Sequence, residues 1–151
     1  MNNKYWLFGT HLSILEESDQ TEGRYDLILG KLGAGVETPL HIHQKYSESI
    51  YVISGEFTIF MGDKAHVLQP GDHVFIPIGV PHAVACTGSQ SGTALTMASP
   101  SGFASLIRQV GILGDEGNMP STLPDMDLFQ QLSESIGDVI LGPPGSRSVT
   151  E

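Results

Sequence analysis

Hydrophobic and polar positions in the first two thirds of this chain alternate over short runs, and turn-forming residues separate the runs. This pattern predicts β-strands rather than helices. We expect one or two strands within 5–15, a polar turn at 16–23 and a strand at 24–32. Further strands are predicted at 50–53, 56–61, 64–68, 74–76, 83–86 and 94–98. Short strands at this spacing indicate a closed barrel or a jelly roll.

The hydrophobic period changes after Pro100. Apolar residues recur at i, i+3, i+4 and i+7 from Phe103 to Val110, which predicts a helix that Ser99 and Pro100 cap and that ends at Gly111. A second amphipathic helix should run from Asp127 to just before Gly137. We therefore expect an all-β barrel with two short C-terminal helices. It should form a single domain over 1–142, followed by a flexible tail at 143–151.

Composition restricts the partners of this domain. The chain has 151 residues and a formal net charge of −10, so nucleic acid would be repelled. Cys86 is the only cysteine and cannot form an intramolecular disulfide. The apolar run Tyr5–Phe8 is too short for a signal core or a membrane span. We expect a cytoplasmic protein that does not associate with membranes.

Four residues with metal-binding side chains have informative spacing. His41 and His43 are two apart on an expected strand, so both imidazoles project from the same face. Glu48 lies near the start of the next strand, and His82 follows a rigid turn that contains two prolines. In a closed barrel all four can point into the lumen. Three imidazoles and one carboxylate suit a divalent transition metal, and iron, manganese, nickel, cobalt and zinc all remain candidates.

The same residues belong to two longer motifs. The first is Gly35, five residues, His41-Ile42-His43, four residues, Glu48, six residues and Gly55; the second is Gly71, five residues, Pro77, one residue, Gly79, two residues and His82. Both resemble the two motifs of the cupin family. The resemblance implies a cupin barrel, also called a double-stranded β-helix, with a metal held by His41, His43, Glu48 and His82. Cys86 stands where the second motif often has asparagine, a position that is not a metal ligand.

A less specific similarity connects 45–48 and 99–103 to quercetin dioxygenase-like cupins. It implies a metal-dependent dioxygenase that acts on a flavonol-like or other enolic aromatic small molecule, with dioxygen as co-substrate. Glu48 would then also be the catalytic base. Two alternatives stay open, because cupins have unrelated activities. One is a non-enzymatic small-molecule-binding cupin, and the other is a non-oxidative isomerase or related enzyme.

The remaining candidate residues receive simpler interpretations. We expect His11, His66 and His73 to lie outside the metal site and Cys86 to be a small buried hydrophobic residue. Lys45 and Tyr46 should lie in an exposed loop, and the alternative for both is that they line the pocket mouth. The core or the pocket wall should contain Phe57, Phe60 and Phe75. An exposed edge strand and the amphipathic helices favour a homodimer.

Overall fold

Two antiparallel sheets form the protein. The structure is a computed structural model, and it describes residues 3–148. The strands are β1 Lys4–Leu7, β2 Thr10–Glu16, β3 Asp26–Leu32, β4 Leu40–His43, β5 Ser47–Ser54, β6 Phe57–Met61, β7 Lys64–Leu68, β8 His73–Ile76, β9 His82–Cys86, β10 Gly92–Ser99, β11 Ile112–Leu113 and β12 Asp138–Gly142. The larger sheet has the strand order β11-β1-β2-β3-β10-β5-β8, and the smaller has the order β12-β4-β9-β6-β7. The helices are α1 Ser18–Thr21, α2 Phe103–Val110 and α3 Met126–Ser135. The predicted all-β class with short C-terminal helices is confirmed.

The core lies between the two sheets and follows the alternation in the sequence. In β5, Ile50 and Val52 are buried while Tyr51 and Ile53 are exposed, because successive side chains of a strand point to opposite faces. Phe57 and Ile59 of β6 pack against the buried pair from the smaller sheet. A second apolar cluster joins β1, β2 and β3 to the inward face of α2. The sheets therefore enclose a barrel interior, and the helices close one side of it.

Helix α2 begins differently from the prediction. Ser99 ends β10, and the helix starts only at Phe103, so the proposed cap formed by Ser99 and Pro100 is wrong. Instead the buried carboxylate of Asp26, in β3, accepts hydrogen bonds from the backbone N–H groups of Gly102 and Ala104, each at 2.9 Å. It also accepts one from the Ser101 hydroxyl. A distant strand thus satisfies the free donors at the helix N-terminus.

Two further elements depart from the expected pattern. The predicted turn at 16–23 contains the short helix α1, and the segment after α3 forms β12. β12 pairs antiparallel with β4, so that Asp138 lies opposite His43. The hydrophobic pattern of the sequence does not predict β12. The pairing brings the C-terminal part of the chain to the strand that carries two of the predicted metal ligands.

The single domain over 1–142 and the flexibility of 143–151 stay predictions. Residues 1–2 and 149–151 lie outside the described part of the chain. Within the described part, Arg147 forms an ion pair with Glu37 and lies over the ring of Phe60. No helix within 3–148 is long and apolar enough to cross a membrane.

The Asp26 carboxylate provides a test of how α2 is attached to the barrel. Asp26→Asn removes the charge and places an amide N–H among hydrogen-bond donors, so it should lower the free energy of unfolding by about 2 kcal/mol. Asp63→Asn makes the same charge change at an exposed turn and should have little effect. Urea denaturation followed by circular dichroism measures both. Equal stabilities of the two variants would contradict this role of Asp26.

Candidate metal centre

The four predicted ligand residues lie together inside the barrel. β4 carries His41 and His43, β5 carries Glu48, and β9 carries His82, which pairs directly with His41. One potential ligand atom from each residue lies within 4.8 Å of the other three. The ring centroids of His41 and His82 are 4.2 Å apart, and those of His41 and His43 are 4.7 Å apart. The cluster could hold one metal ion.

Hydrogen bonds at Nδ1 set the orientation of all three imidazoles. In His41 and His82 this nitrogen contacts the backbone carbonyl two residues earlier, at 2.7 and 2.9 Å. In His43 it contacts Oδ1 of Asp138 at 2.6 Å. In the neutral form of His41 or His82, an oxygen acceptor requires the proton on Nδ1 and leaves the lone pair on Nε2. His43 differs, because its Nε2 also lies 2.8 Å from Oε2 of Glu48, so each of its nitrogens faces a carboxylate. Metal-binding histidines are commonly oriented in this way.

His82 provides a test of whether a metal fits here. Its ring is fully buried, and its Nε2 has no hydrogen-bond partner among the described residues. Oε2 of Glu48 lies 3.4 Å from it, within ion-pair range but without hydrogen-bond geometry. A buried polar atom without a partner costs free energy, and a cation at this point would remove that cost. The donor set therefore fits a divalent transition metal.

The electrostatics of the cluster also favour a cation. Burial would raise the pKa of Glu48, but the hydrogen bond from His43 Nε2 at 2.8 Å and the nearby His82 ring outweigh it and hold that pKa well below its usual range. Burial, together with the neighbouring imidazoles, lowers the pKa of His41 to about 4. Burial would also lower the pKa of His43, but the Asp138 and Glu48 carboxylates raise it to about 9. At pH 7 the site thus contains an ionised Glu48, a neutral His41 and a protonated His43, so a metal bound to His43 Nε2 would take the place of a proton.

The cluster opens onto a cavity of about 480 Å³. Most of the wall is aliphatic or aromatic. Apart from Tyr46, the ionisable residues of the wall are carboxylic acids or histidines of the cluster. No lysine or arginine of residues 3–148 lines the cavity. Residues that typify the wall are Leu12, Ile28, Ile50, Phe57, Leu106 and Phe129. The cavity suits an uncharged, largely apolar molecule with a polar end at the cluster.

Tyr46 and Asp138 also belong to the site, although the sequence predicts neither of them as a contact of a metal ligand. Tyr46 is buried rather than exposed; its ring stacks on His43 at 4.2 Å, and its hydroxyl donates to Oδ2 of Asp138 at 3.1 Å. Burial, reinforced by the carboxylates of Asp138 and Glu48, raises the pKa of Tyr46, so the phenol stays neutral. Asp138 itself lies 95 positions from His43 in the sequence. The only sequence signal for it is the short β-forming run that it begins.

Most of the other residues singled out in the sequence lie where the pattern predicts, and Phe75 does not. Cys86 is buried in the core, as predicted, whereas Phe75 is 53% exposed and its assignment to the core or pocket wall is wrong. Lys45 is exposed, as expected. His11 is buried beside Trp6 and contacts the Gly114 carbonyl at 3.0 Å, well apart from the cluster.

Comparisons with known proteins agree with this geometry. Residues 29–98 match the family model described as "Cupin domain". Quercetin 2,3-dioxygenase from Bacillus subtilis (strain 168) is 29% identical over 79 residues, which cover 52% of this chain and 23% of that protein. This chain therefore aligns with about a quarter of the length of that curated relative.

Solved structures extend the comparison to the fold. An RmlC-like cupin from Shewanella frigidimarina NCIMB 400 superposes with a TM-score of 0.58 at 24% identity, covering 67% of this chain and 86% of the other. The polyketide cyclase RemF from Streptomyces resistomycificus superposes with a TM-score of 0.55 at 24% identity, covering 66% and 69%. At these identities the likeness concerns the fold alone. Together with the domain match over 29–98, it shows that this protein has the cupin fold.

Proposed function

We propose that this cupin is a metal-dependent dioxygenase that acts on a flavonol-like or other enolic aromatic small molecule. The observation that carries the proposal is that His41, His43 and Glu48 of the four-residue cluster line a largely apolar cavity. The similarity to quercetin 2,3-dioxygenase supports the same reaction class. Dioxygen would be the co-substrate, and both of its atoms would enter the product as a carbon–carbon bond of the substrate breaks.

Each part of the site has a role in this proposal. The three Nε2 atoms and the Glu48 carboxylate hold one divalent ion of iron, manganese, nickel, cobalt or zinc. That ion, when bound, would acidify a coordinated hydroxyl and support the reaction with dioxygen. Glu48, which is itself one of the four residues of the cluster, would release the metal and accept the enolic proton of the substrate. The apolar wall excludes water from the reacting groups.

The cavity wall favours this reading over a sugar or sugar-phosphate isomerase. A phosphorylated or carboxylated substrate would need lysine or arginine partners, and the described wall has none. A sugar would leave many hydroxyls against aliphatic side chains without hydrogen bonds. A cupin that binds an apolar molecule without converting it remains the alternative, because the same wall suits that function. Measurement of oxygen uptake separates the two.

Metal content tests the first part of the proposal. Protein purified without chelators should contain close to one divalent transition metal per chain by elemental analysis, or bind one on addition. His41→Ala removes one ligand and should weaken binding at least about tenfold, whereas His73→Ala alters an exposed histidine outside the cluster and should not. Absence of metal in the purified protein, together with no binding on addition, would refute the metal centre.

Oxygen consumption tests the reaction. Metal-loaded protein should consume oxygen in an electrode cell when a flavonol is added, and Glu48→Gln should slow turnover by at least about 100-fold because the proton acceptor is lost. Metal analysis of that variant separates loss of the base from loss of the ion. Glu134→Gln, at an exposed position of α3, serves as the control. No uptake with flavonols or related enediols would rule out the dioxygenase, and a ligand recovered unchanged would favour the binding module.

We also propose that a second copy of this chain covers the outer face of the larger sheet. Tyr51, Ile53, Phe75 and Met97 are each more than 40% exposed there, on neighbouring strands β5, β8 and β10. The outward positions of these strands carry no carboxylate, although the chain has a net charge of −10. Two acidic copies could therefore meet on this face without repulsion between like charges.

Light scattering coupled to size exclusion tests the dimer. The unmodified protein should have twice the mass of one chain, and Phe75→Glu should convert it to a monomer by placing a charge on the covered face. Val67→Glu makes the same change at an exposed apolar residue of β7, in the other sheet, and should leave the dimer intact. A monomer mass for the unmodified protein would overturn the proposal.

A further inference from the structure

Asp138 is a nearly buried carboxylate in direct contact with a predicted metal ligand, yet it lies beyond residue 98, where the match to the cupin domain ends. Its two oxygens have separate partners. Oδ1 lies 2.6 Å from Nδ1 of His43, and Oδ2 accepts a hydrogen bond from the Tyr46 hydroxyl at 3.1 Å. The Tyr46 ring in turn stacks on the His43 ring with an interplanar angle of 28°. His43 is thus held at one edge by a carboxylate and across one face by an aromatic ring.

The other two imidazoles are held differently. His41 and His82 each use a backbone carbonyl two residues earlier, so the turns that carry them also orient them. His43 depends on a charged side chain from the other end of the chain. A carboxylate partner fixes the tautomer of an imidazole and makes its other nitrogen a stronger donor than a neutral carbonyl partner does. His43 should therefore be the ligand most dependent on tertiary structure.

The backbone around Asp138 is built to bring the carboxylate to this place. The turn between α3 and β12 passes through Gly137, which has a φ of +81° and accepts a hydrogen bond from the Gln44 amide at 2.9 Å. A Cβ atom at Gly137 would lie 2.8 Å from the Lys45 side chain. The next residue is Asp138, whose pairing register places it opposite His43. The close approach of this turn to 44–45 aligns β12 with the segment that contains both partners of Asp138.

We infer that Asp138 is a positioning residue for His43, and that the C-terminal strand β12 completes the metal centre by supplying it. This inference rests on the proposed metal site. The carboxylate holds the His43 ring so that Nε2 faces the cluster, and Tyr46 holds the carboxylate. Asp138 does not itself contact the point where the four ligand atoms converge. Its effect is exerted through His43 alone.

Metal affinity of purified protein tests the inference without any activity assay. Titration of metal-free protein with Co²⁺ or Zn²⁺, in competition with a chromophoric chelator, should give a Kd for Asp138→Ala that is about 10- to 100-fold weaker than that of the unmodified protein. Asp138→Asn keeps an acceptor oxygen but loses the charge, so its Kd should lie between the two. Tyr46→Phe keeps the stacked ring and should weaken binding only a few-fold. Asp127→Asn, at an exposed position of α3, is the control for net charge and should match the unmodified protein.

A spectroscopic readout separates positioning from general stability. In the zinc-loaded protein, long-range ¹H–¹⁵N spectra should show His43 protonated at Nδ1, and that signal should shift in the two Asp138 variants while those of His41 and His82 stay in place. Circular dichroism of the metal-free variants shows whether they fold, and if Asp138→Ala does not, Asp138→Asn carries the test. Affinities of both folded variants within twofold of the unmodified protein would overturn the inference and leave the metal site intact. If the unmodified protein binds no metal, the proposed function itself fails.

Discussion

The structure depends on one constraint, which is the burial of three imidazoles and a carboxylate inside an otherwise apolar barrel. Buried polar groups must be paired, and the protein pairs every Nδ1 with an oxygen outside the cluster. That arrangement directs the remaining nitrogens toward one another and toward Glu48. His82 Nε2 is then left with no hydrogen bond in the described part of the chain. A cation held by the cluster would give this one buried nitrogen a partner.

The cavity beside the cluster has the opposite character. Aliphatic and aromatic residues from both sheets and from α2 and α3 form its wall, so a ligand can gain free energy there mainly by burying apolar surface. Two imidazoles and the carboxylate of the cluster are polar groups in this wall that can bind a metal. A hydroxyl or carbonyl oxygen of a bound molecule would therefore face the cluster, while its rings pack against the apolar residues. This combination limits the ligand more strongly than the cupin fold does.

The C-terminal segment connects these two parts of the site. Phe129 of α3 and Ile140 of β12 line the cavity, while Asp138, between them in sequence, contacts His43. This segment lies outside residues 29–98, which match the cupin domain. A change in α3 or β12 would alter both the wall and the orientation of a ligand residue. The shape of the cavity and the geometry of the cluster are therefore linked through one short stretch of chain.

The all-β class, most of the strands and the grouping of His41, His43, Glu48 and His82 are predictable from the sequence. These features depend on local alternation and on spacing between neighbouring strands, both of which can be read directly along the chain. The contacts of Asp26, Tyr46 and Asp138 arise only from the tertiary fold. Asp26 caps a helix 76 positions away, and Asp138 reaches His43 across 95 positions, so neither contact leaves a periodic or local signal. Pairing between strands distant in sequence determines such contacts, because it is the register of β12 against β4 that sets which carboxylate meets which imidazole.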